Sequence, residues 1–255
     1  MAIILKSPEE IAQLREAGRI VAQTYEHLNE YVVAGVTTGE LDRRAEEFMR
    51  SVGARPMYKG YAPGGRSPFP ATICVAVNDV IVHGIPDRKQ YLREGDIVGI
   101  DIGVVYNGWI GDACRTYTIG KVDAPSRRLV DTAEHCLQIG IEQAYSGNRI
   151  GDIGSAIQTY AEARGFSVVR EYCGHGVGRA LWEEPSVPHH GRAGTGFKLR
   201  PGMVFTIEPM INAGGYETKL LADGWTVVTA DGSRSAQFEH TIALTVDGTR
   251  VLTVP

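Results

Sequence analysis

The sequence predicts an α+β fold built on a mainly antiparallel sheet. Helix and strand signals are mixed along the chain, without the regular alternation that marks a parallel sheet. Asn107-Gly108 lies between two long apolar runs and is the strongest short-range hairpin signal. No low-complexity stretch or long linker divides the chain, so residues 1–255 read as a single domain.

The first helix opens at Ser7, which can cap it, with Pro8 at the first helical position and Glu10 completing a capping box. Ile11, Leu14, Val21, Tyr25 and Leu28 follow at roughly helical spacing. A second helix is expected from near Thr37, with Glu40 three residues on, to near Gly53. Two more are expected over 125–145 and 151–164, the last stopped by Gly165. Strands are expected at Thr72–Val77, Ile97–Tyr106, Trp109–Ile119, Met203–Ile207, Trp225–Thr229 and Phe238–Val246.

The chain has 255 residues and a formal net charge of −4, which argues against an electrostatically driven nucleic-acid binder. No run approaches the eighteen apolar residues of a membrane span. The N-terminus, MAIILKSPEE, turns polar after five residues and does not read as a signal peptide. The four cysteines, Cys74, Cys114, Cys136 and Cys173, form no CxxC pair, so reduced thiols in a cytoplasmic protein are expected.

The informative residues are acids in apolar strands. Asp101 sits in IVGIDIGVV, Asp112 in GWIGDACRTY, Glu208 in MVFTIEPMI and Glu239 in AQFEHTIALTV. An ionised carboxylate buried without a partner is very costly, so each needs a hydrogen-bonding or ionic explanation. A two-residue turn at Asn107-Gly108 pairs Tyr106 with Trp109 and therefore Gly103 with Asp112. Asp101, two residues from Gly103, then shares a face with Asp112 as a diagonal neighbour about 7–8 Å away. Two carboxylates that close repel unless a proton or cation lies between them. One such aspartate alone could be an edge residue facing water; four acids in four apolar settings could not.

His175, in EYCGHGVGR, is flanked by glycines that allow close backbone approach to a ligand or a neighbouring strand. Four acids and one neutral imidazole match two divalent cations in charge. Such oxygen-rich ligation suits Mn, Fe, Co or Zn without choosing among them. Two metals about 3.5–4 Å apart can hold a hydroxide and polarise a carbonyl.

The motifs NDVIVHGIPD (78–87), GDIVGIDIGVVYNGWIGDACRTY (95–117), EYCGHGVGR (171–179), PGMVFTIEPMI (201–211), DGWTVVT (223–229) and SAQFEHTI (235–242) resemble those of type I methionine aminopeptidases of the short bacterial form, in metallopeptidase family M24. The resemblance runs from residue 33 to the end. It implies the pita-bread fold, two pseudo-symmetric halves around a dinuclear centre, and removal of the initiator methionine from nascent chains. By the same resemblance Asp112 and Glu239 bridge two metals, Asp101 completes one site, His175 and Glu208 complete the other, and Glu208 is the proton shuttle. His83, on its residues alone an ordinary turn histidine, would contact the substrate's N-terminal residue or scissile amide. Tyr61, Phe69, Cys74 and Trp225 match positions lining the methionine pocket, and each is equally suited to a core. Asn78, Val80 and Ser235 match a monovalent-cation site. The resemblance further implies a monomer in transient contact with the ribosome, while charge and patterning support no nucleic-acid specificity and no membrane role.

Two departures stand out. After GHGVGR the family has a histidine just before EEP, taken to donate to the scissile carbonyl; here Trp182 stands there. Trp182 keeps one N–H donor but cannot accept or ionise. It substitutes as a poorer donor, or faces away and leaves His189 or His190 to fill in, or weakens the site. The second departure is a longer loop, APGGRSP, between Tyr61 and Phe69. The alternatives are a proline-specific peptidase of the same fold, which usually carries an extra N-terminal domain, and a catalytically weakened binding homologue.

Overall fold

The computed structural model describes residues 2–255. Its first half contains α1 (Pro8–Leu28), α2 (Thr38–Ser51), β1 (Arg55–Pro56), β2 (Cys74–Val77), β3 (Val80–Val82), β4 (Ile97–Tyr106) and β5 (Trp109–Thr118). The second half contains α3 (Ala124–Gln143), α4 (Ile150–Glu162), β6 (Ser167–Val168), β7 (Gly174–Gly176), β8 (Glu183–Val187), β9 (Val204–Ile207) and β10 (Met210–Asn212). It ends with β11 (Thr218–Leu220), β12 (Val227–Thr229), β13 (Ser235–Gln237), β14 (His240–Thr245) and β15 (Gly248–Val251). Every pairing between these strands is antiparallel among the described residues.

The helix starts follow their capping chemistry. Ser7 accepts the Glu10 N–H while Glu10 accepts the Ser7 N–H, closing the expected box. At α2 and α3 the cap bond is one-way: Thr37 accepts the Glu40 N–H and Asp123 the Ser126 N–H. Gly165, at φ +80°, follows α4 where a left-handed residue is needed.

Each half packs a helix pair on its own strands. The α1 apolar face meets β4 and β5 through Val21, Tyr25, Leu28, Ile100 and Ile102. The α3–α4 pair meets β9, β10 and β13 through Leu129, Ala133, Ile157, Ile207 and Ile211. Among the described residues no helix is long and apolar enough to cross a membrane.

The 107–108 hairpin has the expected register: Tyr106 pairs with Trp109, Gly103 with Asp112 and Asp101 with Cys114. Asn107 at φ +50° and Gly108 at φ +77° supply the two left-handed positions such a turn demands.

Three expected strands begin two residues late in the structure, the first two because side chains take the backbone groups that pairing would use. Thr72 and Ile73 donate their N–H groups to Asp42 Oδ1 at 2.7 and 3.0 Å, so the strand begins at Cys74. Trp225 and Thr226 donate to Asp223 Oδ1 at 2.8 and 2.9 Å, so β12 begins at Val227. The expected 238–246 strand begins at His240 and is preceded by β13, with Phe238 and Glu239 in the gap.

That gap is the seam between the halves. Glu239 N–H donates to the Cys114 carbonyl at 2.8 Å, and Thr241 Oγ1 donates to the Asp112 carbonyl at 2.7 Å. Thr116 Oγ1 donates to the Gln237 carbonyl at 2.6 Å. These bonds lay the 237–241 segment against β5.

Candidate metal centre

The seam delivers acids from both halves to one place. Oxygens of Asp101, Asp112 and Glu239 lie within 4.8 Å of one another. His175 Nε2 stands 3.8 Å from Asp112 Oδ2 and 3.7 Å from Glu208 Oε1. The five side chains singled out in the sequence therefore converge, with Asp112 common to both clusters.

His175 is positioned by its glycines. A Cβ on Gly174 would lie 2.4 Å from the Thr206 carbonyl oxygen, and one on Gly176 2.3 Å from that of Glu184. The glycines thus serve close approach to the neighbouring strands β9 and β8.

The carboxylates repel one another in a dry site. Burial pushes Asp101, Glu208 and Glu239 well above the ordinary carboxylate range, and their mutual repulsion adds to it. Asp112 is raised for the first of those reasons and held down by His175 and Tyr58. Tyr58 Oη is within 2.5 Å of Asp101 Oδ1 and hydrogen-bonds to Asp112 Oδ1 as well. Burial drives the Tyr58 phenol up, so it keeps its single proton and satisfies only one of these acceptors at a time. The donor set is short of positive charge, and divalent cations fit it.

Two supporting residues, Tyr58 and Thr206, were not found from the sequence. A Cβ on Gly103 would lie 2.8 Å from the Tyr58 ring, so the glycine opposite Asp112 makes room for that ring. Thr206 Oγ1 donates to Glu208 Oε1 at 2.7 Å and accepts the His175 N–H at 2.9 Å. Its position two residues before Glu208 in a strand was the available signal.

The acids form the floor of a cleft of about 360 Å³. Tyr61, Phe69, Cys74, Trp225, His83 and Trp182 all line it. Phe69 packs edge-to-face on Trp225 at 5.2 Å, and Tyr58 on Phe69 at 6.4 Å. His83 holds φ +58°, and its Nδ1 is buried without a partner. Burial, and next the charge of Arg66, lower its pKa to about 4, so the ring is neutral at pH 7.

Trp182 is 41% exposed and lines the cleft. His189 does not fill in. It is fully buried outside the cleft lining, and its Nε2 accepts the Glu208 N–H at 3.0 Å. His190 is also absent from the lining. Asn78 and Ser235 meet through a 2.8 Å bond from Ser235 N–H to the Asn78 carbonyl, while Val80 pairs with Val228.

This fold and this acid-and-histidine floor define a metallopeptidase. Residues 12–246 match metallopeptidase family M24, and the chain belongs to that family. It is 49% identical over 251 residues to methionine aminopeptidase 1 of Bacillus subtilis, covering 98% of this chain and 99% of that one. The crystal structure of methionine aminopeptidase from Rickettsia prowazekii superposes with a TM-score of 0.95 at 44% identity, covering 99% of this chain and all of that one. The fold is thus the pita-bread fold. A prolidase from Pyrococcus horikoshii shares it at a TM-score of 0.78, with 23% identity; this chain covers 63% of that one.

Proposed function

We propose that residues 1–255 form a single catalytic domain that removes the N-terminal methionine from nascent proteins and peptides. One observation carries the reading: a five-residue acid-and-histidine cluster floors a cleft walled by Phe69, Cys74, Tyr61 and Trp225. An apolar wall of that kind accepts an unbranched thioether side chain, while the floor handles the amide beside it.

Asp101, Asp112, His175, Glu208 and Glu239 would together hold two divalent ions. When bound, Co, Mn, Fe or Zn supplies Lewis acidity toward the scissile carbonyl and lowers the pKa of the attacking water. Glu208 takes the proton from that water and passes it to the departing amine. The Thr206 hydroxyl on Oε1 fixes the carboxylate for that transfer. His83, neutral and with an unpaired nitrogen, meets the scissile amide. Trp182 offers its indole N–H to the scissile carbonyl oxygen. Asn78, Val80 and Ser235 would hold a monovalent cation behind the centre. The reading places a monomer in the cytoplasm, working on chain N-termini with transient contact at the ribosome, without nucleic-acid specificity and away from membranes.

The test is methionine release from Met-Ala-Ser by metal-stripped protein, before and after adding Mn or Co, with an X-Pro dipeptide in parallel. Metal-dependent release of methionine alone supports the reading. Cleavage of the X-Pro dipeptide instead favours a proline-specific peptidase. No release from either, with metal bound, favours a binding homologue disabled at Trp182.

A further inference from the structure

The loop of residues 62–68 leaves and rejoins the structure at one point. Phe69 N–H donates to the Tyr61 carbonyl at 2.9 Å, and Gly60 N–H to the Phe69 carbonyl at 2.8 Å. Within the loop, Arg66 N–H donates to the Pro63 carbonyl at 3.2 Å. Trp225 Nε1 donates to the Ser67 carbonyl at 3.0 Å, which ties the loop to the wall of the cleft. The tie brings the Arg66 guanidinium to 5.5 Å from the centroid of the Trp225 ring.

Arg66 is the only lysine or arginine lining the cleft among the described residues, and it takes part in no ion pair among them. Its side chain is exposed, in a cleft otherwise lined by aromatic and apolar groups, acids and the histidines His83 and His175. The charge acts inward as well: it lowers the pKa of His83 after burial and offsets part of the rise at Tyr172. An unpaired guanidinium that is braced on an aromatic ring at a cleft mouth is preorganised for a carboxylate.

We propose that Arg66 is a specificity-determining residue that pairs with an acidic side chain at the third residue of the substrate peptide. The proposal rests on the methionine-removing reading for the direction in which the peptide leaves the cleft. With methionine in the pocket and its amide at the acid floor, the chain beyond leaves toward the rim, where the third side chain meets Arg66. The pair forms in ground state and transition state alike, so it acts on KM and leaves kcat across the peptides similar. An exposed pair of this kind changes affinity about three- to fivefold and weakens with salt.

The experiment compares Met-Ala-Glu-Ser, Met-Ala-Gln-Ser and Met-Ala-Lys-Ser with the unaltered protein, Arg66→Ala and Arg66→Glu. KM and kcat are read with Mn added, and binding to metal-stripped protein is read by tryptophan fluorescence. The expected result is a KM and a Kd for the Glu peptide about three- to fivefold below those for the Lys peptide, shrinking as salt is raised. R66A abolishes the difference and R66E reverses it. Equal values for the Glu and Lys peptides in the unaltered protein, or a Glu preference that survives in both variants, overturns the proposal. If no peptide releases methionine, the proposed activity fails, while the fluorescence titration still decides the role of Arg66.

Discussion

Thr206 Oγ1 lies 2.7 Å from Oε1 of Glu208, and the same hydroxyl accepts the amide N–H of His175 at 2.9 Å. One side chain thus fixes two of the three cluster members that the second half supplies. A hydrogen bond to a ligating carboxylate typically governs about 10–100-fold in metal affinity or activity. Thr206→Val is expected to lower kcat/KM by that range, and Thr206→Ser to recover most of it. Equal activity in the Val variant would show that Glu208 needs no such restraint.

Trp182 stands at the cleft with a single N–H. Trp182→His, which restores a stronger donor, is expected to raise kcat. Trp182→Phe, which keeps most of the bulk and removes the N–H, is expected to lower it by up to about 10². An unchanged or lower kcat in the His variant sinks the donor role.

Lys6 Nζ meets Glu183 Oε2 at 2.6 Å with side chains only 4% and 10% exposed. Glu183 Oε1 also accepts the N–H groups of Arg179 and Ala180, so the turn carrying Leu181 and Trp182 is tied to the N-terminal segment. Lys6→Met leaves a buried carboxylate without its cation and is expected to cost about 3–5 kcal/mol. Urea unfolding measures it, and a loss under about 1 kcal/mol would mean that the pair behaves as a surface one. Adding Glu183→Gln should recover part of the loss.

Without metal, the raised carboxylates should give stability an inverted pH dependence. Asp101, Glu208 and Glu239 bind protons more tightly folded than unfolded. Above about pH 4, where unfolded carboxylates have released theirs, the folded state holds more protons, so stability falls as pH rises. Melting of the metal-stripped protein should therefore move to lower temperature on going toward neutral pH, and Mn or Co should reverse most of that fall. A flat profile would show that the cluster is not crowded enough to titrate upward.

Much of the site was legible because its signals are local or enforced by period. The Asn107-Gly108 turn fixes the register that sets Asp101 beside Asp112, and alternation along a strand does the rest. The capping box at Ser7 and Glu10 is equally local. Glu239 was legible as an acid among apolar residues, but its place in a break between β13 and β14 depends on bonds to Cys114 and Asp112 more than a hundred residues away. Tyr58 lay in no alternating run, and only the missing Cβ of Gly103 betrays its ring. The turn that carries Trp182 is tied down by the Lys6–Glu183 pair, which joins positions 177 apart in the chain. The inward reach of Arg66 depends on one indole bond to a loop carbonyl.

The seam at 237–241 has a mechanical consequence. Asp101 and Asp112 come from the first half, and His175, Glu208 and Glu239 from the second. All four cysteines are free, so no disulfide pins one half to the other. Bare, the clustered carboxylates repel one another across the joint. Ligation across them would act as a rivet spanning well over a hundred residues of chain, and loading the centre would then be part of how the two leaves stay shut.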